Sequence, residues 1–130
     1  KKTKPLGLTG RLNNTVFRAG EKARVTIKTA REAQIAVFNI MADDRVALLF
    51  PNQYEPGNHL TAGKEFIFPA RDAKVDLEMQ TLPGHRKDAE AIFVIAWDKG
   101  RHIDIMKMFI PVEPVSSSSV WRTSPIIAKM

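Results

Sequence analysis

Apolar residues recur along this chain with a period of two in some stretches and run on without interruption in others. From Gly20 the chain reads GEKARVTIKTA, which sets Ala23, Val25 and Ile27 on one face and Arg24, Thr26 and Lys28 on the other. An antiparallel strand with one buried face is written in this way. After the reversal at Arg31-Glu32, residues 34–41 are apolar at nearly every position, which predicts a central strand covered on both faces. Asp43-Asp44 turns the chain into a strand over 45–50. Pro51-Asn52 ends that strand, because proline has no N–H to give to a ladder.

The same reading extends to both sides. Residues 6–12 predict a short first strand, and 64–68 another, closed by Pro69. Residues 74–81 alternate, with Val75, Leu77 and Met79 inward. Residues 89–97 form a second near-continuous apolar run, the natural partner of the central strand. Residues 103–110 favour a strand through Ile103, Ile105 and Phe109, although their Met and Lys content also suits a short helix. Short strands separated by turn signals predict an all-β fold, an immunoglobulin-like antiparallel β-sandwich of about seven to eight strands. The strands at 45–50 and 64–68, charged or bounded by proline, read as its edges. Residues 1–6 then form a basic N-terminal tail, 7–112 the sandwich, and 113–130 a Ser-rich linker with an apolar tail. That tail, with Val120, Trp121, Ile126 and Ile127, either folds back on its own sandwich, which we favour, or adds a strand to a neighbour's sheet.

At 130 residues the chain is long enough for a single core. No apolar run approaches the roughly 18–20 residues needed to span a bilayer. The chain opens Lys1-Lys2-Thr3-Lys4-Pro5 without an initiator Met or a signal-type stretch, and reads as an excised domain rather than a processed protein. Absence of cysteine excludes a disulfide framework, a thiolate nucleophile and a Cys-ligated zinc. The net charge of +6 is uneven: residues 1–33 hold nine Lys/Arg against two Glu, and the remainder is close to neutral. Such a surplus can steer anionic partners. Terminal lysines and the solvated face of a strand account for it better, and the missing aromatic interleaving weighs against nucleic acid.

Candidate chemistry is sparse. His59, His85 and His102 lack metal-ligand spacing, and Asp43-Asp44 has neither the further acids nor the glycine of a calcium loop. No metal and no cofactor is expected. Every serine lies in the tail, so no Ser nucleophile sits on a rigid scaffold. Asp76 and Glu78 share one strand face but read as its solvent side. What is left is the loop 52–63 (NQYEPGNHLTAG), where Asn52, Gln53, Tyr54 and His59 mix stacking and hydrogen-bonding groups. These four, with Trp121 in the tail, are the candidate contact residues for a ligand or partner. Capping the end of the sandwich is the competing role for Tyr54. No catalytic residue is assigned.

Taken in order, Gly20-Glu21, Phe38-Asn39, Leu49-Phe50-Pro51-Asn52, Leu60-Thr61-Ala62-Gly63 and Phe68-Pro69 make this chain resemble the family of domain of unknown function 4384. The later Leu82-Pro83-Gly84 and residues 89–96 are similar to its closing loop and strand. The resemblance covers about residues 20–97, and departs at Asp43-Asp44-Arg45, where the family often has Asp-Gly. It implies an accessory module without a catalytic set, appended to larger bacterial proteins such as lipoproteins, secretion-related proteins or signalling enzymes. The expected function is a non-catalytic interaction module of a periplasmic or cell-envelope protein. It would bind a protein partner, or a second copy, through a sheet edge, the loop or the tail. Small-ligand or glycan sensing at the 52–63 loop is the alternative.

Overall fold

A computed structural model of the chain describes residues 5–72, 76–82, 84–108 and 120–122. Among them are ten strands and one short helix: β1 (Thr9–Leu12), β2 (Lys22–Ala23), β3 (Val25–Lys28), β4 (Ala33–Ile40), β5 (Val46–Phe50), β6 (His59–Leu60), β7 (Phe66–Phe68), β8 (Asp76–Glu78), β9 (Ala91–Asp98), α1 (Ile105–Met108) and β10 (Val120–Arg122). The architecture is the all-β, sandwich-like one that the alternation predicts. Three small sheets build it, ordered β1-β3-β7, β10-β8-β2 and β5-β4-β6, with β9 also paired to β4.

The central strand is β4. It pairs antiparallel with β9 over all eight positions, from Ala33↔Asp98 to Ile40↔Ala91. Residues 37–40 pair with β5 and 33–34 with β6, so these two strands share the side of β4 opposite β9. As residues 34–41 predict, β4 is covered on both faces. Ile35 and Val37 enter the main core with Ala23, Val25, Ile27, Phe68 and Leu77 from the other two sheets. Ala36 and Phe38 enter a second cluster with Leu48, Trp97 and Ile105.

Two departures have local causes. The predicted strand through Lys22–Lys28 divides at Arg24, with β2 joining β8 and β3 joining β1 and β7. Asn13 holds the break: its N–H donates to the Arg24 carbonyl at 3.0 Å and its Oδ1 accepts the Arg24 N–H at 2.9 Å. The second departure is a correction. Residues 105–108 form a helical turn, not a strand. Ile103, Ile105 and Met106 all pack on the second cluster, and spacings of two and then one put three side chains on one surface only when the chain coils.

β5 carries a bulge. Val37 faces Phe50 but Phe38 faces Leu48, leaving Leu49 as the extra residue. Leu49 and Phe50 therefore both enter the main core while Leu48 serves the second cluster. The Phe50 ring lies 5.0 Å from Phe66 and 5.2 Å from Phe68. Such ring pairs add about 0.5–1.5 kcal/mol beyond their buried area. The Phe50-Pro51 and Phe68-Pro69 peptide bonds are cis.

The backbone of β10 runs parallel to β8, with Val120↔Asp76, Trp121↔Leu77 and Arg122↔Glu78, so that part of the tail joins the chain's own sheet. The basic residues 1–4, Val75, Pro83, Phe109, the Ser-rich linker, Ile126 and Ile127 lie outside the described residues, as does the side chain of Trp121. No described helix is long and apolar enough to cross a membrane.

Candidate functional site

The loop after β5 contains three of the five predicted contact residues and β6 a fourth, and the structure gives them different circumstances. Asn52 is 1% exposed. Its Nδ2 donates to the Leu49 carbonyl at 2.7 Å, and its Oδ1 accepts the N–H groups of Tyr54 at 2.8 Å and Glu55 at 2.9 Å. The amide is fully engaged in shaping the turn. Gln53 and Tyr54 face solvent, Tyr54 at 50% exposure. His59 is exposed on β6, where its backbone pairs with Gln34. Trp121 is on β10, in a different sheet.

Near this loop is a cleft of about 270 Å³, lined by Gln34, Pro51, Pro56, Asn58 and residues 102–106. None of Asn52, Gln53, Tyr54 or His59 lines it. Its two amides are committed: Gln34 Oε1 accepts the Trp97 indole N–H at 3.1 Å, and Asn58 Nδ2 donates to the Ile35 carbonyl at 3.0 Å. Glu55 lies partly buried, with one carboxylate oxygen without a hydrogen-bond partner. Burial pushes its carboxyl above the usual range, opposed by the Ala70 N–H and reinforced by the Asp72 charge.

The remaining histidines are apart. His102 borders the cleft, and His85 Nδ1 sits 2.6 Å from Asp88 Oδ1 in the loop before β9. The His85 contact and the Leu82 N–H hold Asp88 below the ordinary carboxylate range. No group of three or more possible metal ligands occurs among the described residues.

The basic surplus of the first quarter is answered in space by acids from later in the chain. Arg11 meets Glu65 at 3.6 Å, and Asp76 receives Lys22 at 3.1 Å and Arg24 at 3.8 Å. Arg31 meets Asp98 at 3.2 Å. Beside that pair Lys99 meets Glu32 and lowers the pKa of its carboxylate, fastening the β3–β4 turn to the end of β9.

Sequence reasoning missed the outer edge of β9. Residues 91–97 read AIFVIAW, and Ala91–Asp98 holds no proline, no lysine and no bulge. Among the described residues β9 pairs with β4 alone. Its even positions Ile92, Val94 and Ala96 pack on the main core, and Ile95 and Trp97 on the second cluster. Phe93 is 51% exposed. By register it adjoins Phe38, and Ala91 adjoins Ile40, which adjoins Val46. Phe93, Ala91, Ile40 and Val46 thus form an apolar strip that reaches the edge of β9 that no described strand covers, with Val46 also exposed. Natural sheets often blunt an edge with charge, proline or a bulge, and Ala91–Ala96 carries none of these.

The motifs behind the resemblance are accounted for by folding. Gly20 takes φ +90° and donates to the Met79 carbonyl at 2.8 Å, while Glu21 Oε1 accepts the Arg18 N–H at 2.5 Å. Gly63, at φ +74°, donates to the Thr29 carbonyl at 2.8 Å. A residue with a Cβ is strained at either position. Phe68 is fully buried, and the Pro69 carbonyl accepts an Arg24 N–H at 2.7 Å. Comparison with curated proteins and with solved structures finds no match. The family model described as domain of unknown function (DUF4384) matches residues 16–95, and with that span the chain belongs to this family.

Proposed function

We propose that the chain is a non-catalytic interaction module of a larger bacterial, cell-envelope protein, and that it holds a protein partner along the outer edge of β9. The observation that carries this reading is the edge itself: eight residues, apolar up to Asp98, with an apolar strip through Phe93 beside it. Strand addition to such an edge draws affinity from main-chain hydrogen bonds and specificity from alternate side chains. The non-catalytic part is supported by the engagement of Asn52, Asn58 and Asp88 with backbone and of Gln34 with the Trp97 indole.

The test places a photo-crosslinking amino acid at Phe93, Tyr54 or Val16 of the full-length protein in its own cells. All three sites are exposed. The reading expects a protein adduct at 93 and none at 54 or 16; adducts at 54 without any at 93 would overturn it.

The cleft beside the loop favours a second reading, recognition of a small ligand or glycan. Its volume lies just below the roughly 300–1,000 Å³ of ordinary ligand pockets, and both of its amides are already bonded, so it ranks second. A rise in melting temperature with sugars or peptidoglycan fragments would favour it.

A further inference from the structure

The cleft beside the loop can be given a ligand class, on the second reading just stated that it is a binding site. We infer that it holds one residue of a neutral sugar, whose hydroxyl groups bond to the Gln34 and Asn58 amides.

Hydrogen bonds behind the cleft fix which way both amides point. An indole nitrogen can only donate, so Trp97 holds Gln34 with Oε1 toward it at 3.1 Å and Nε2 turned away. Asn58 is held likewise: its Nδ2 donates to the Ile35 carbonyl, and its Oδ1 faces Gln34 Nε2. Those two atoms stand 3.5 Å apart, the outer limit of a hydrogen bond, so neither fully satisfies the other. Gln34 keeps a second N–H, and Asn58 Oδ1 a second lone pair. Both residues line the cleft. Its wall thus offers a donor beside an acceptor, each oriented from behind by the fold.

The rest of the lining narrows the chemistry. Asp104 is exposed there, and its carboxylate with the Asn58 oxygen disfavours an anion. Lys107, 3.9 Å from that carboxylate, works against a cation. Hydroxyl groups both give and accept, so a ring carrying several can meet a donor, an acceptor and a carboxylate together. Pro51, Pro56 and the buried Ile105 supply apolar wall for the C–H side of such a ring. A volume of about 270 Å³ suits one ring.

The test follows the side-chain amide and indole signals of the isotopically labelled 130-residue chain by nuclear magnetic resonance. Glucose, galactose and mannose are the probes, with cyclohexanol and N-acetylglycine amide for comparison. The inference expects saturable shifts of the Gln34, Asn58 and Trp97 signals with at least one sugar. Cyclohexanol keeps a ring but only one hydroxyl, and should bind at least about fivefold more weakly. Gln34→Glu keeps an acceptor for the Trp97 indole and loses the donor, so it should abolish the Asn58 and Trp97 shifts with an unchanged circular dichroism spectrum. Should that variant not fold, the cyclohexanol comparison decides alone. Equal binding of cyclohexanol, or sugar shifts that persist in a folded Gln34→Glu protein, overturns the inference. If N-acetylglycine amide shifts the three signals and no sugar does, the cleft remains a binding site and the sugar assignment falls. Silence from every probe removes both.

Discussion

Replacing Asn52 with alanine tests whether the most distinctive motif of this chain builds structure or meets a ligand. The side chain makes three hydrogen bonds to backbone at 2.7, 2.8 and 2.9 Å and is 1% exposed. Alanine leaves the Leu49 carbonyl and the N–H groups of Tyr54 and Glu55 without that partner. A net loss of about 1 kcal/mol per bond, with an added penalty for any group that water cannot reach, gives about 3–4 kcal/mol. For a domain of this size each kcal/mol lowers the melting temperature by roughly 3–5 °C, so Asn52→Ala should melt about 10–15 °C below the parent. Asn52→Asp keeps the acceptor but sets a carboxylate against the Leu49 carbonyl, so it should lose a comparable amount. Tyr54→Ala, at a half-exposed site, should change stability by less than about 0.5 kcal/mol. Thermal melts followed by circular dichroism, with urea titrations for free energies, supply the measurement. An Asn52→Ala protein that melts within about 2 °C of the parent would refute the reasoning.

Other consequences can be read in the same way. Phe50→Ala removes a ring packed against Phe66 and Phe68 and should cost about 3–5 kcal/mol, seen as a lower urea midpoint with an unchanged slope. A loss under about 1 kcal/mol would contradict the packing. At Glu55 the folded state raises the carboxyl pKa, so its stabilisation is complete below the unfolded pKa and is lost as pH rises through the folded value. Glu55→Gln should therefore gain in melting temperature over the parent as pH rises above about 4; a difference independent of pH would contradict the sign. Because Arg11, Lys22, Arg24 and Arg31 are paired with carboxylates, DNA and heparin should leave the melting temperature unchanged at about 0.15 M salt. A clear upward shift would contradict that.

Much of the fold is legible in the sequence because burial imposes periodicity. Ala23, Val25 and Ile27 are at most 3% exposed, as their alternation requires, and the central strand and its partner at 89–97 are both where continuous apolarity sets them. Period alone cannot show a change of sheet. The break at Arg24 depends on Asn13, eleven residues away, and the bulge at Leu49 depends on which face of β4 each neighbour serves. The turn at 105–108 was ambiguous for a physical reason, since a four-residue element is too short to display a period.

The candidate site was harder to read. A polar residue in a loop beside an aromatic looks like a ligand contact, yet Asn52 caps its own turn. The one available signal was its position just after Pro51, where an asparagine amide commonly bonds to backbone N–H groups two and three residues on. Phe93 reads as core because it sits in an apolar run. Among the described residues β9 is the last strand on that side of β4, and strand order is not written in a single strand.

Amide hydrogen exchange on dilute protein, resolved residue by residue by nuclear magnetic resonance, tests the central claim that the family motif holds the loop while the far edge of β9, which no described strand covers, is the proposed binding edge. The account predicts slow exchange at Tyr54 and Glu55, and along Ala91–Asp98 alternation between slow amides bonded to β4 and fast ones directed away from it. Uniformly slow exchange along Ala91–Asp98 in the dilute monomer, with Tyr54 and Glu55 exchanging freely, would contradict it.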